Sequence, residues 1–415
     1  MNGALPLHRL NAVNPGDAFP ARWSPVLAAL SVLTSAALAA LPFLKVAPNR
    51  LMSGESASFL SVLQGPAWVL AVLLGAVFAV SLFKPNRALL WSVAAISMAL
   101  VVSLVWLAGR HATFVAQAAS PIARTSLGGA FWAASLLLGL VAADALQRLR
   151  LSSLARTGLL LAALLPIYAL LAAGYIDDLS IMKEYANRAD TFGQAIARHG
   201  QIVLVALVPT LCIGLPLGWL ARRHSRVGAS LFPVLNVIQT IPSIALFGLL
   251  MAPLALLAAA LPALARAGIS GVGLAPGVIA LTLYSLLPVV RGTLAGLEQV
   301  PSSVRDAALG IGMAPGQIFW RVDLPLAAPV VLAGICTATI QMVGLTAVTA
   351  LIGTGGLGAI MFEGLFSSAQ DLVLLGVVPI VVLGVLVDAA FGAVIALFGR
   401  NRLQGSGAES QGATA

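Results

Sequence analysis

Apolar residues fall along this chain in long runs separated by short polar gaps. About 20 mostly apolar residues are needed for a helix to cross the roughly 30 Å hydrocarbon core of a bilayer. Ten runs approach that length: 26–44, 67–83, 88–108, 128–146, 157–175, 202–221, 229–251, 275–290, 326–351 and 372–398. The run 252–265 is too short to cross alone and reads as an outer extension or a re-entrant piece. The pattern predicts an all-α fold, a polytopic transmembrane helical bundle.

Composition supports the same solvent. Of 415 residues, 60% are apolar or aromatic and 9% are charged, against about a quarter charged in soluble domains. No stretch is charged enough to coat a water-soluble domain. The net charge of +9 raises the question of nucleic acid, but the cations are scattered through the gaps and form no basic face, so nucleic acid is excluded as a partner. Cys212 and Cys336 lie inside apolar runs and read as packing residues, with no metal-ligand spacing. Neither a metal nor a cofactor is expected.

Orientation follows from Lys and Arg, which concentrate in cytoplasmic loops. An inside N-terminus places 15 of the 23 in the cytoplasm. Glu55, Asp177, Asp178, Glu184, Asp190, Glu363 and Asp371 then fall outside. Both termini are expected to face the cytoplasm, with the chain in the inner (cytoplasmic) membrane. The first run has no clean small-residue cleavage site after it and reads as a retained span. The expected organisation is a cytoplasmic segment (1–25), an accessory five-span region (26–175), an external segment (176–200), a working core (201–400) and a disordered cytoplasmic tail (401–415).

One long cytoplasmic excursion, 291–324, interrupts the core. It reads as two short helices. Pro301 suits a helix entrance, and Ser303 with Asp306 fits a capping box. Gly310 and Gly312 stop the first helix and Pro315 opens the second. Ile318, Phe319 and Trp320 then bring apolar bulk towards the cytoplasm. Leaving such bulk in water costs about 25 cal/mol per Å², so the residues either meet a docking partner or form an interfacial aromatic belt.

Asp306, Ala307 and Ala308, followed by Gly310, Gly312, Ile318, Leu324 and Pro325, resemble the "EAA" loop of binding-protein-dependent permeases, with Asp306 where the family usually has Glu. Gln239–Ser243, then Tyr284–Pro288, then Gly353–Gly358 are similar to successive landmarks of the glycine betaine/carnitine/choline subgroup. The resemblance runs from about 190 to 398, and the longer N-terminal region is similar to that of an extended osmoprotectant branch. It implies a type I ABC importer permease core whose excursion is the coupling helix seated on an ATPase subunit. It also implies an external substrate-binding protein and a second permease subunit, identical or related. The chain itself cannot bind ATP through a P-loop, because its three lysines follow Leu44, Phe83 and Met182 rather than glycine. ATP hydrolysis is expected on a separate subunit, and the chain is not expected to be an enzyme.

Gln239, Thr240, Pro242, Tyr284 and Asp388 are the candidates for the translocation path. Aromatic faces hold quaternary ammonium ions, and Tyr284 is the one tyrosine of the core; a packing role is the alternative. Asp388 has no local cation and either faces the path or bonds within the bundle. Asp144 is accounted for by Arg148 four residues on. Gly353, Gly355 and Gly358 satisfy a dinucleotide fingerprint only formally, since no βαβ unit surrounds them; with Gly356 they read as a tight structural turn. Gly268-Ile269-Ser270-Gly271 resembles the nucleophile site of an intramembrane serine protease, but His8, His111, His199 and His224 all read as lying in loops or at span ends, so no base is placed for it. An importer of another small solute, such as an amino acid, and a non-transport scaffold are the remaining alternatives.

Overall fold

The computed structural model describes residues 24–412 apart from 51, 53, 64–67, 84–85, 150 and 267. Most of the expected N-terminal segment therefore lies outside the described residues. The chain divides into two compact units, residues 1–151 with 166–176, and residues 152–165 with 177–415.

The first unit contains α1 (Pro25–Ala40), β1 (Pro42–Ala47), β2 (Glu55–Ser58), α2 (Phe59–Val62), α3 (Trp68–Ser81), α4 (Arg87–Ala118), β3 (Arg124–Leu127) and α5 (Gly129–Arg148). The three strands form an antiparallel sheet in the order β2-β1-β3, with Lys45 opposite Ser56 and Ser126. This corrects the expected first span. Its helix stops at Ala40 because Pro42 forces Leu41 out of the helical region, to φ −102° and ψ 152°. Phe43 and Leu44, counted as the end of a span, are instead wholly buried strand residues. Phe43 meets Phe59 edge to face at 5.3 Å and Phe131 at 6.1 Å. Arg148 and Asp144 pair at 2.8 Å, as their spacing predicts.

Helix α6 (Ser153–Ala172) contains Pro166, where the chain passes from the second unit to the first. The second unit continues with α7 (Ser180–Ala186), α8 (Ala189–Arg223), α9 (Ser225–Thr240), α10 (Ser243–Ala260), α11 (Pro262–Arg266) and α12 (Leu274–Glu298). Then come α13 (Ser302–Gly310), α14 (Pro315–Ile318), a π-helical turn (Phe319–Asp323), α15 (Leu324–Thr349), α16 (Leu357–Phe366) and α17 (Gln370–Gly412). Helix α17 runs through most of the segment expected to be a disordered tail. The expected external segment holds α7 and the first turns of α8, tied down by Lys183–Asp178 at 3.5 Å and by Arg188, which forks onto both oxygens of Glu363 at 2.6 and 2.7 Å.

Among the described residues, seven helices are long and apolar enough to cross a membrane. Helices α1 and α3, and the apolar part of α6 (Leu161–Ala172), are shorter than that. The expected span 229–251 is two helices, because Pro242 holds Ile241 extended at φ −69° and ψ 127°. Most of 252–265 belongs to α10 rather than to a separate piece. Helices α8, α12 and α15 form the core, where Ile202, Ala206, Leu281 and Met342 are completely buried. Helix α12 crosses α15 backbone to backbone: a Cβ on Gly292 would lie 2.7 Å from Gly334 Cα. Apolar side chains gain little from leaving lipid, so small residues that permit such close contact hold helices together.

Candidate functional site

Helix α12 continues two turns past its expected end, so the excursion begins at Gln299 rather than Arg291. The expected Ser303–Asp306 capping box does not form. Ser302 and Ser303 are already helical, Pro301 occupies the N-cap position, and no side chain caps the helix. At the other end the expectation for Gly312 holds. Gly312 has φ +84°, its N–H donates to Leu309 O at 2.9 Å and the Met313 N–H donates to Ala308 O at 3.1 Å. These two bonds make a Schellman cap. Gly310 is the last helical residue and supplies no turn of its own. The second helix is opened by Pro315, with the Ala314 N–H donating to Gln317 Oε1 at 3.0 Å.

The excursion is closed on itself by Arg305. Its Nε donates to Asp323 Oδ1 at 2.6 Å and its second terminal nitrogen to Leu297 O at 2.9 Å. One guanidinium thus joins α13 to the end of α12 and to the π-helical turn. This device was not apparent in the sequence, where Arg305 counted only as a cytoplasmic charge. Ser303, Asp306, Ala307, Gly310 and Gly312 lie on the exposed face of the excursion, whereas Ala308 and Ile318 are turned in and buried. The sequence grouped Phe319 with Trp320, and their rings do meet edge to face at 5.4 Å, but the two differ in burial. Phe319 packs edge to face against Trp219 and onto Leu297, Ala327 and Val331, while Trp320 is 67% exposed. Leu324 is half-buried and Pro325 exposed.

Two of the three sequence landmarks lock together. Gln239 Nε2 donates to Tyr284 O at 2.8 Å, and the Tyr284 hydroxyl donates to Ile241 O. That carbonyl lies at the break between α9 and α10. The Tyr284 ring packs with Leu246, Phe247 and Ala280 and is 5% exposed. Thr240 bonds within its own helix to Val237 O at 2.7 Å, and Pro242 opens α10. Asp388 stands apart from this group, exposed on α17 with Oδ1 4.0 Å from Cys336 Sγ. Cys336 is buried, but Cys212 is exposed on α8, which corrects its reading as a packing residue.

The third landmark is a turn: Gly353, Gly355 and Gly356 have φ of +84°, +80° and +80°. A Cβ on Gly358 would lie 2.0 Å from Ala347 O. Arg198 Nε donates to Thr354 O at 3.0 Å, and the Thr349 and Thr354 hydroxyls pair at 2.7 Å. His199 is the residue most misplaced by the sequence reading. It sits inside α8, wholly buried, with Nε2 3.0 Å from Val343 O. The nitrogen facing that carbonyl carries the proton. Ser270 donates to Val272 O at 2.6 Å in a loop.

A bundle of apolar helices carrying one folded, self-closed polar excursion is a multi-pass membrane permease. The chain belongs to the family of binding-protein-dependent transport system inner membrane components, which matches residues 211–398. Residues 22–182 match the N-terminal domain of the ABC transporter permease YehY. The osmoprotectant import permease protein OsmW of Salmonella typhimurium is 36% identical over 191 residues, covering 46% of this chain and 84% of that one. The choline transport system permease protein OpuBB of Bacillus subtilis is 36% identical over 190 residues, 46% of this chain and 80% of that one. The ergothioneine transport permease/ergothioneine binding protein EgtU of Helicobacter pylori is 37% identical over 178 residues, 43% of this chain and 29% of that one.

Proposed function

We propose that the chain is the membrane permease of an ATP-driven importer for glycine betaine and choline-type osmoprotectants. The observation that carries this reading is the 36% identity to an osmoprotectant permease across 84% of that protein's length. The family match over residues 211–398 takes in the interlocked landmarks around Gln239 and Tyr284. Choline and ergothioneine, named for two of the relatives, share a trimethylammonium group, which supports a quaternary ammonium substrate.

In this reading the exposed face of α13, with Ser303, Asp306, Ala307 and Gly310, rests on a separate ATPase subunit in the cytoplasm. Gly312 and the Arg305–Asp323 pair hold that face in position, with Ile318, Phe319, Leu324 and Pro325 as its base. An external substrate-binding protein delivers the osmolyte, and a second permease, identical or related, completes the path. Gln239, Thr240, Pro242 and Asp388 contribute to the path, while Tyr284 positions the α9–α10 break. Residues 26–175 form an accessory region outside this machinery, and both termini face the cytoplasm.

Reconstitution with the ATPase and binding protein tests the reading. ATP hydrolysis should rise when the binding protein is loaded with glycine betaine or choline. Stimulation by an amino-acid-loaded binding protein alone would assign the permease to a different solute.

A further inference from the structure

A cavity of about 900 Å³ lies beneath the excursion, a volume within the range of small-molecule sites. It is an open cleft lined by the last turns of α8 and α12, the foot of the excursion and the start of α15. The cavity has two chemically distinct sets of walls. Leu215, Leu297, Phe319 and Val331 supply apolar surface, and Trp219, Arg222, Arg223 and Arg305 supply an aromatic and cationic rim. Asp323 is the acidic residue in the lining, and its carboxylate is taken by Arg305 at 2.6 Å. Two guanidinium charges, on Arg222 and Arg223, remain uncompensated within the lining.

Their geometry suits an anion. Arg222 Nε is buried with no hydrogen-bond partner, and a buried donor left so costs about 1–3 kcal/mol. The Arg223 guanidinium lies over the Trp219 ring, 5.5 Å from its centre, a contact that uses the face of the cation and not its N–H donors. Guanidinium forks match phosphate oxygens in pairs. Both arginines are in the last turn of a membrane-crossing helix, the depth at which headgroups lie, and basic pockets between helices at that level take anionic headgroups.

The geometry points to a binding site for an anionic phospholipid, its phosphate held by Arg222 and Arg223 and its acyl chain laid against Leu215, Leu297 and Val331. The apolar half of the cavity is what selects a lipid over a free anion. Such a lipid would lie against Phe319 and the Arg305–Asp323 pair and so reinforce the seating of the excursion. The proposal does not depend on the substrate of the transporter.

The test is native mass spectrometry on the full-length protein, extracted from membranes and exposed to equal amounts of phosphatidylglycerol and phosphatidylcholine. The wild type should retain phosphatidylglycerol preferentially. Arg222→Gln with Arg223→Gln should lower that retention roughly tenfold or more, since each arginine near a membrane surface contributes severalfold to anionic-lipid affinity. Retention of phosphatidylcholine should not change. The pair Arg222→Lys and Arg223→Lys keeps the charge and should fall between. Equal retention of the two lipids by the wild type would overturn the proposal, as would unchanged phosphatidylglycerol binding in the glutamine variant. Displacement of the lipid by inorganic phosphate at millimolar concentration would assign the arginines to a free anion and also overturn it. The comparison of lipids on the wild type does not depend on how any variant folds.

Discussion

Arg305 and Asp323 meet at 2.6 Å across eighteen residues of chain, with side chains 21% and 16% exposed. Their pairing makes the excursion a closed unit rather than a flexible loop. Arg305→Ala would leave the Asp323 carboxylate and Leu297 O without their partner, at a cost of about 1–3 kcal/mol. We expect the variant to insert normally and to lose co-purification with the ATPase. Asp323→Arg alone should do the same, and Arg305→Asp with Asp323→Arg should recover part of the loss. Wild-type ATPase retention in both single variants would show that the pair does not hold the docking face.

The two glycines of the excursion should behave oppositely. Gly312 has φ +84°, and a side chain there costs about 1–2 kcal/mol in the left-handed region. Gly310 is helical with no atom within 4 Å of a built Cβ, so Gly310→Ala should be neutral or should stabilise the helix by up to about 1 kcal/mol. The thermal midpoint and transport should both fall in Gly312→Ala, whereas Gly310→Ala should keep or raise the thermal midpoint. Equal effects would mean that the turn is not what the excursion depends on.

Much of the fold was legible because helices in lipid must be long and apolar. The limits lay where a short-range rule competes with hydropathy. Phe43 and Leu44 are as apolar as any span residue, and only Pro42 signals that they are strand. Ile241 and Pro242 sit within an apolar run, yet proline ends a helix whatever surrounds it. For the site, Gly312 was readable because a glycine after a short helix has a local meaning. Arg305–Asp323 and His199–Val343 were not, because each joins residues far apart in sequence and neither residue type declares its partner. Ala308 reads in the sequence only as part of the loop motif, and its burial depends on how α13 rests on its neighbours.

Tyr284 separates a positioning role from substrate contact. Its hydroxyl bonds Ile241 O and its ring is buried. Tyr284→Phe removes the bond and leaves the ring, which should cost about 0.5–1.5 kcal/mol of stability. The midpoint of thermal unfolding should fall while the KM for transport stays within about twofold, a change worth under 0.5 kcal/mol. A tenfold rise in KM with unchanged stability would place the hydroxyl on the substrate.

Topology follows from the arginine and lysine distribution. Reporter fusions after Asp178 and Ala369 should map outside, and a fusion after Arg226 should map to the cytoplasm. A cytoplasmic signal at Asp178 would invert the proposed orientation of the permease core and move the excursion away from any cytoplasmic ATPase.

The contact between Gly292 and Gly334 carries the last prediction. A Cβ on Gly292 would lie 2.7 Å from Gly334 Cα, and one on Gly334 would lie 2.8 Å from Pro288 O. Neither neighbour is a flexible side-chain end, so a methyl group can be accommodated only by moving α12 away from α15. Overpacking of this kind costs about 1–3 kcal/mol. In lipid the separated helices also lose the close contact that holds them. Gly344 provides the control, since it lies on α15 with no atom within 4 Å of a built Cβ. Gly292→Ala and Gly334→Ala should each lower the thermal midpoint of the purified protein and reduce transport, while Gly344→Ala should leave both near wild type. Because α12 leads directly into the excursion, displacement of α12 should also weaken ATPase retention. If Gly292→Ala unfolds at the wild-type temperature and transports normally, the two helices do not cross at this point.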